Sequence, residues 1–358
     1  MKFIDEFRNK EIAQGLIQKI HAVSTRPIQL MEVCGTHTVS FFRYGIRGML
    51  PPYVRLISGP GCPVCVTPNR DIDLAIALSR QKGVIIAIFG DMMRVPGSTS
   101  SLQEEKAEGG DIRIITSSIE ALRIAGENPE KEVVFFAIGF ETTSPTIAVA
   151  LLQSKRQNIR NLYFLNSQKR IPSTIRTLLQ SEKVRIDGFI LPGHVSAIIG
   201  SEPYQFISNE FNLPAVITGF EPLDILQGVW MLVRQIEEKR ARVEIQYKRA
   251  VPEKGNPVAI NKIDEAFEKD GALWRGLGWI PDSGYTFKET LKDRDARNLE
   301  VEVELSKEHP GCLCGEVIQG AKTPLDCNLF RRTCRPENPI GPCMVSLEGT
   351  CATYFKYL

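Results

Sequence analysis

The sequence predicts an α/β protein: two similar parallel-sheet α/β domains followed by a smaller, irregular α+β domain. Three observations lead there. From Tyr53 to about Phe220, short β-branched or aromatic runs alternate with helix-like segments, the pattern of strand-helix-strand units. Gly126-Glu127-Asn128-Pro129 interrupts that region and splits it into two units of similar size. From Pro252 onward Gly, Pro, charge and cysteine rise together, which marks a third region of loop-building composition. A chain of 358 residues is also too long for one comfortable hydrophobic core.

In chain order, residues 1–30 are expected to form a helical segment that packs with the C-terminal domain, 31–125 the first α/β domain, 126–221 the second, and 222–358 a long helix with the irregular domain. The β-branched and aromatic runs place strands at Tyr53 to Ile57, Val84 to Phe89, Ile112 to Thr116, Val133 to Ile138, Leu162 to Asn166, Gly188 to Leu191 and Ala215 to Thr218. Helical periodicity falls between them at Asp71 to Gln81, Ile119 to Ala125, Pro145 to Lys155, Ser173 to Ser181 and Tyr204 to Asn209, and then over Pro222 to Val243. Five strands run into Gly-containing turns with polar or reactive residues: Ser58 to Cys62, Gly90-Asp91-Met92, Gly139 to Thr143, Pro192-Gly193-His194 and Gly219 to Pro222. Open parallel sheets bind ligands at the carboxyl ends of their strands, so these turns are the candidate clefts.

Composition narrows the function. Hydrophobic residues make up 43%, charged residues 24%, and the net charge is only +2, so polyanions such as nucleic acid are poor partners. The opening Met-Lys-Phe-Ile-Asp-Glu-Phe-Arg breaks its apolar residues with charge, so no export signal is expected. Runs such as Val84 to Phe89 fall far short of the roughly 20 apolar residues that cross a bilayer, so no membrane span is expected either. Nine cysteines in a chain read as cytoplasmic point to metal or redox chemistry rather than a disulfide framework. No Gly-x4-Gly-Lys-Ser/Thr loop occurs, which disfavours nucleotide binding.

The cysteines fall into two sets. Cys34, Cys62 and Cys65 lie early, and Cys312, Cys314, Cys327, Cys334, Cys343 and Cys351 crowd the end. Cys62-Pro63-Val64-Cys65 joins a strand to a helix, with Thr67 expected as N-cap and Pro68 at the first helical position. Sulfurs at such a junction are placed for nucleophilic, redox or metal chemistry, with half of a structural zinc site as the alternative. Cys34 and His37 stand three residues apart, close enough to share a metal or for the imidazole to tune the thiol, although a buried cysteine beside a hydrogen-bonded histidine is common. His194 reads as a loop histidine that bonds locally, and Glu141 as a helix-start carboxylate.

The late set lies among Gly, Pro and polar residues, a composition that wraps thiolates around an inorganic centre. Zinc sites favour paired Cys-x-x-Cys knuckles, and this tail has none, so the spacing favours a 4Fe-4S cluster over zinc. Six cysteines compete for four places. Cys327, Cys334, Cys343 and Cys351 are the expected ligands, with Cys312 and Cys314 as alternates or a second redox pair.

Taken in order, Met-Glu-Val-Cys34-Gly-Thr-His37-Thr, Gly-Pro-Gly-Cys62-Pro-Val-Cys65-Val-Thr, Gly-Phe-Glu141-Thr-Thr, Pro-Gly-His194-Val-Ser and Gly-Pro-Cys343-Met-Val-Ser-Leu-Glu-Gly-Thr-Cys351 resemble the HypD family of NiFe-hydrogenase maturation factors. The resemblance implies two similar α/β units and a domain carrying a 4Fe-4S cluster. It implies a scaffold that works with the small chaperone HypC, on which iron receives cyanide and carbon monoxide before delivery to the hydrogenase large subunit. Cyanide would come through HypE, itself supplied by HypF. By position, Cys34 would bind the iron with His37 close by, and Cys62 with Cys65 would be the redox pair, themselves able to bind iron. A cluster-dependent disulfide reductase resembling ferredoxin-thioredoxin reductase, and a zinc-stabilised binding protein, are the competing readings.

Overall fold

The computed structural model describes residues 5–181 and 183–358, so the first four residues of the expected N-terminal segment lie outside the described residues. Strands β1 (Ile28–Glu32) and β2 (Val54–Ser58) come first, then β3 (Val84–Phe89), β4 (Asp111–Ile115), β5 (Glu132–Ala137) and β6 (Leu162–Asn166). Next come β7 (Gly188–Pro192), β8 (Ala215–Thr218) and β9 (Val243–Ile245), and last the pair β10 (Phe267–Trp274) and β11 (Gly278–Phe287). They assemble into two wholly parallel sheets, of order β2-β1-β7-β8-β9 and β4-β3-β5-β6, and one antiparallel hairpin, β10-β11.

The sheets cut the chain differently from the boundary expected near residue 126. That point ends the helix Ser118–Glu127, between β4 and β5 of a single sheet. The chain leaves the first sheet after β2, builds the whole second sheet, and returns with β7. Residue pattern cannot reveal this, because strands buried on both faces carry the same Val, Ile and Phe content whichever sheet they join.

Alternating residues divide each sheet between two cores, as the period-2 geometry of a strand requires. Ile86, Ile88, Val134 and Phe136 of the second sheet share one core with Met31, Phe189, Leu191 and Ile217 of the first. Their sequence neighbours face outward: Ile85, Ala87, Val133 and Phe135 meet the helix Ser144–Arg156, while Leu30, Leu56, Ile190 and Val216 meet the helix Pro222–Glu237. The N-terminal helix Lys10–Val23 packs on Pro222–Glu237 and places Ile20 among Leu226, Val229 and Val233.

Local chemistry corrects two expected boundaries. Thr67 does not begin a helix: Pro63–Val66 forms a turn of its own with Cys62 as N-cap and Thr67 as C-cap, the Thr67 hydroxyl donating to the Pro63 carbonyl at 2.8 Å. Pro68 then caps the helix Asn69–Ser79 instead of standing inside it. The long helix stops at Glu237, six residues early, because Lys239 takes a left-handed φ of 52° and the chain re-enters the sheet as β9. Among the described residues no helix is long and apolar enough to cross a membrane.

Candidate functional site

In the first sheet the connections from β1 run one way, to β2, and those from β7 run the other, to β8 and β9, so the strand order reverses between β1 and β7. An open parallel sheet has its natural crevice at that switch point, beyond the carboxyl ends of the strands. Cys34, two residues past β1, and His194, two past β7, meet there with Sγ 3.9 Å from Nδ1. The ring near the Cys34 sulfur is therefore His194, which the sequence ranks below His37.

His37 has another task. Its Nε2 lies 3.0 Å from the Gly219 carbonyl and 2.8 Å from the Thr218 hydroxyl, and the ring stacks on Phe220 with centroids 4.7 Å apart. A carbonyl only accepts, so Nε2 carries the proton and Nδ1 keeps a lone pair that has no partner among the described residues. Burial lowers the pKa of His37 to about 3 and that of His194 to about 4, so both rings are neutral near pH 7.

Cys34 is held from below by a buried carboxylate that the sequence reading missed. Glu32, the last residue of β1, accepts the Cys34 amide at 2.7 Å and the Thr38 hydroxyl, and burial pushes its pKa up to about 7. Burial, then the Glu348 and Glu32 carboxylates, push the Cys34 thiol far up. Such a thiol keeps its proton until a cation displaces it. The next loop seals the other side: Gly35 donates its amide to the Gly61 carbonyl at 3.0 Å, and a Cβ on Gly61 would stand 2.1 Å from the Cys34 nitrogen.

Gly61 leads directly to the dithiol. Cys62 Sγ accepts the Cys65 amide at 3.3 Å, and Cys65 and Cys343 lie buried in one core. The short helices Cys314–Ile318 and Pro342–Val345 pack against Pro63–Val66, which brings the two cysteine sets together across more than half the chain. Cys312 and Cys314 both stand against Gly341, the residue before Pro342–Val345: a Cβ there would meet their sulfurs at 2.8 and 3.4 Å.

All six late cysteines line one small cavity walled by Leu313, Val317, Leu329, Phe330 and Met344. Among the described residues no three or more His, Cys, Asp or Glu side chains stand as a ready site for a single metal ion. A ring of six thiols around an apolar cavity instead suits a larger inorganic centre, which spreads its thiolate ligands apart and is tuned by a dry wall. Cys334 Sγ already accepts the Ile340 amide at 3.4 Å, the kind of hydrogen bond that tunes cluster sulfurs. Burial raises the Cys65 thiol, while contacts with neighbouring thiols and burial leave Cys314 and Cys343 well up too, so loading a centre would release protons.

Glu141 belongs to the second sheet, whose order reverses between β3 and β5. It is a helix-start carboxylate, though of a different helix from the one that follows it, accepting at 3.1 Å the first amide of Ile171–Gln180. Gly139, at a left-handed φ of 147°, makes the bend; a Cβ there would meet Thr143 at 2.6 Å. Burial pushes the Glu141 pKa up to about 7. Burial, and then the Glu141 carboxylate, raise the Tyr204 hydroxyl well above its usual pKa.

A model of the family described as "Hydrogenase formation hypA family", named HypD, matches residues 11–358. The chain belongs to the HypD family. It is 47% identical to hydrogenase maturation factor HypD2 of Bradyrhizobium diazoefficiens, the match spanning 100% of this chain and 97% of that relative. It is 43% identical to the HypD factors of Rhodobacter capsulatus and Escherichia coli, over 100% of this chain and 98% of each. In this HypD chain the motifs around Cys34, Cys62, Glu141 and His194 all follow the carboxyl ends of strands, with the Cys343 motif packed beneath the dithiol.

Proposed function

We propose that the chain serves hydrogenase maturation in the cytoplasm as a scaffold that, with HypC, holds an iron atom at Cys34 while cyanide and carbon monoxide are attached. HypE, supplied by HypF, would bring the cyanide, and the finished unit would pass to the hydrogenase large subunit. The observation that carries this reading is the packing of the Cys34 turn on Gly61, next to the dithiol, and of the helix Pro63–Val66 on the helix Pro342–Val345, whose Cys343 lies in the wall of the cysteine cavity.

Each part has a chemical task. Iron arriving at Cys34 displaces the thiol proton, and the neutral rings of His194 and His37 offer nitrogen lone pairs without adding positive charge. Cys34 is 2% exposed and His37 fully buried, a shielded setting that suits soft-ligand iron chemistry. Cys62 and Cys65 would supply two electrons and two protons to ligand attachment at the iron, becoming a disulfide themselves. A 4Fe-4S cluster on Cys327, Cys334, Cys343 and Cys351, with Cys312 or Cys314 as alternates, would supply a one-electron donor and acceptor beside that pair.

The test is infrared spectroscopy on anaerobic protein co-purified with HypC. Cys34→Ala should remove the cyanide and carbonyl bands while the visible absorption of the cluster remains. Bands that persist in the variant would sink the assignment. The packing of the helix that carries Cys65 on the one that carries Cys343 also favours a second reading, the cluster-dependent disulfide reductase. That activity would turn over a protein disulfide without HypC and would be indifferent to Cys34→Ala.

A further inference from the structure

Six thiols line the cysteine cavity and a 4Fe-4S cluster takes four, so two are left over. Cys312 and Cys314 differ from the other four in three ways. They are separated by Leu313 alone, at φ −89° and ψ 18°, a turn that brings the flanking Cα atoms within the separation of about 4.4–6.8 Å that a disulfide spans. Their sulfurs both stand against Gly341, whose missing side chain leaves room for them to meet. Cys312 also lines a second cavity, of about 260 Å³, whose wall includes Ser98 and the exposed residues Lys307 and His309.

Access separates this pair from the first dithiol. Cys62 and Cys65 are 5% and 1% exposed, so a protein donor cannot reach either sulfur unless the fold opens. Cys314 is buried too, but Cys312 is half-buried and stands in the walls of both the cysteine cavity and the outer one. A reachable sulfur beside a buried partner is the arrangement that thiol-disulfide exchange uses: one sulfur is attacked and the other leaves. We propose that Cys312 and Cys314 are a second dithiol-disulfide couple that exchanges with a dithiol protein donor through Cys312. A donor thiolate attacks the Cys312 sulfur of the oxidised pair and forms a mixed disulfide, while Cys314 leaves as a thiolate and takes up a proton. The donor's second thiol loses its proton and attacks the donor sulfur of the mixed disulfide, which releases Cys312 as a thiol and leaves the donor as a disulfide. Two electrons and two protons have then passed to this chain, next to the first dithiol, because the helix Cys314–Ile318 packs on Pro63–Val66. The inference rests on the proposed assignment of the cluster to the other four late cysteines.

The test equilibrates the anaerobic full chain, cluster retained, with mixtures of oxidised and reduced dithiothreitol, then quenches with acid and alkylates after unfolding. Trypsin cuts after Lys307 and Lys322, so the peptide 308–322 holds Cys312 and Cys314 and no other cysteine. It should change from doubly alkylated to unalkylated and lighter by two hydrogens, passing from one-tenth to nine-tenths oxidised over about an eightyfold change in the dithiothreitol ratio, as a single two-electron couple requires. The visible absorption of the cluster should stay constant throughout. Under native conditions Cys314→Ser should hold glutathione on Cys312 as a lasting mixed disulfide, and Cys312→Ser should capture at least about tenfold less. Should either variant fail to fold, the peptide titration of the parent decides. An intact cluster with no peptide lighter by two hydrogens would overturn the couple and leave the ligand assignment standing. A disulfide that appears only as the cluster absorption is lost would overturn both, and equal glutathione capture by the two variants would overturn entry through Cys312.

Discussion

Replacing Gly61 by alanine tests the crevice where it is tightest. The new methyl would stand 2.1 Å from the Cys34 nitrogen and 2.3 Å from its Cα, both backbone atoms at the end of a sheet strand. Ordinary contact begins near 3.4 Å, so the two loops must part by about 1.3 Å. No flexible side chain is available to yield. Overpacking of this kind costs about 3 kcal/mol, the upper end of the usual range, because the neighbour is backbone. The displacement also opens the 3.9 Å contact between Cys34 and His194, so the variant should lose stability and expose the thiol together. Anaerobic urea unfolding reads the first effect, and the rate of Cys34 alkylation under native conditions reads the second. A Gly61→Ala protein with the parent's midpoint and an equally protected Cys34 would refute the close packing of these loops.

Cys65→Ser keeps the size and a hydrogen-bonding group but removes the second sulfur of the dithiol; after mild oxidation Cys62 should remain alkylatable in the variant, and its loss to the same extent as in the parent would show that Cys65 is not its partner. Glu141 has its folded pKa raised from about 4.5 to about 7, so the folded state binds the proton more tightly; its contribution is present below pH 4.5 and fades as pH rises to 7, by about 3 kcal/mol. Glu141→Gln should flatten that part of the stability profile, and the difference between the two profiles isolates it from His37 and His194. Those rings act oppositely: their folded pKa values are lowered, so they destabilise as pH falls below 6.5.

Seven strands are readable from composition because each is a compact β-branched or aromatic run ended by a Gly or polar turn. β1 escapes that reading: Ile-Gln-Leu-Met-Glu places Gln29 and the buried Glu32 in a five-residue run, and only the burial of that carboxylate under Cys34 explains its presence. β9 is three residues long, and the β10-β11 hairpin hides behind Glu268, Lys269 and Asp270 on an exposed stretch. The candidate site was legible as residue types and only partly as a place. Cysteine spacing reveals two sets, yet nothing local says that the turns carrying Cys65 and Cys343 meet, which depends on how three one-turn helices pack. His194 looks like an ordinary loop histidine until β1 and β7 are known to be neighbours, and that pairing is a property of the topology.

The excursion between β2 and β7 has a consequence for biosynthesis. Cys34 and His194 lie 160 residues apart, so a ribosome adding 5–20 residues per second leaves the crevice half-built for roughly 10–30 s. During that interval the second sheet can close on itself, since all four of its strands have emerged, while Cys34, Cys62 and Cys65 remain uncovered by β7. The helix Pro342–Val345, which packs on the one carrying Cys65, arrives last of all, with the final turns of the chain. A nascent chain therefore leaves Cys34, Cys62 and Cys65 open to oxidation for the longest time, and oxygen exposure during synthesis should harm yield more than the same exposure of the finished fold.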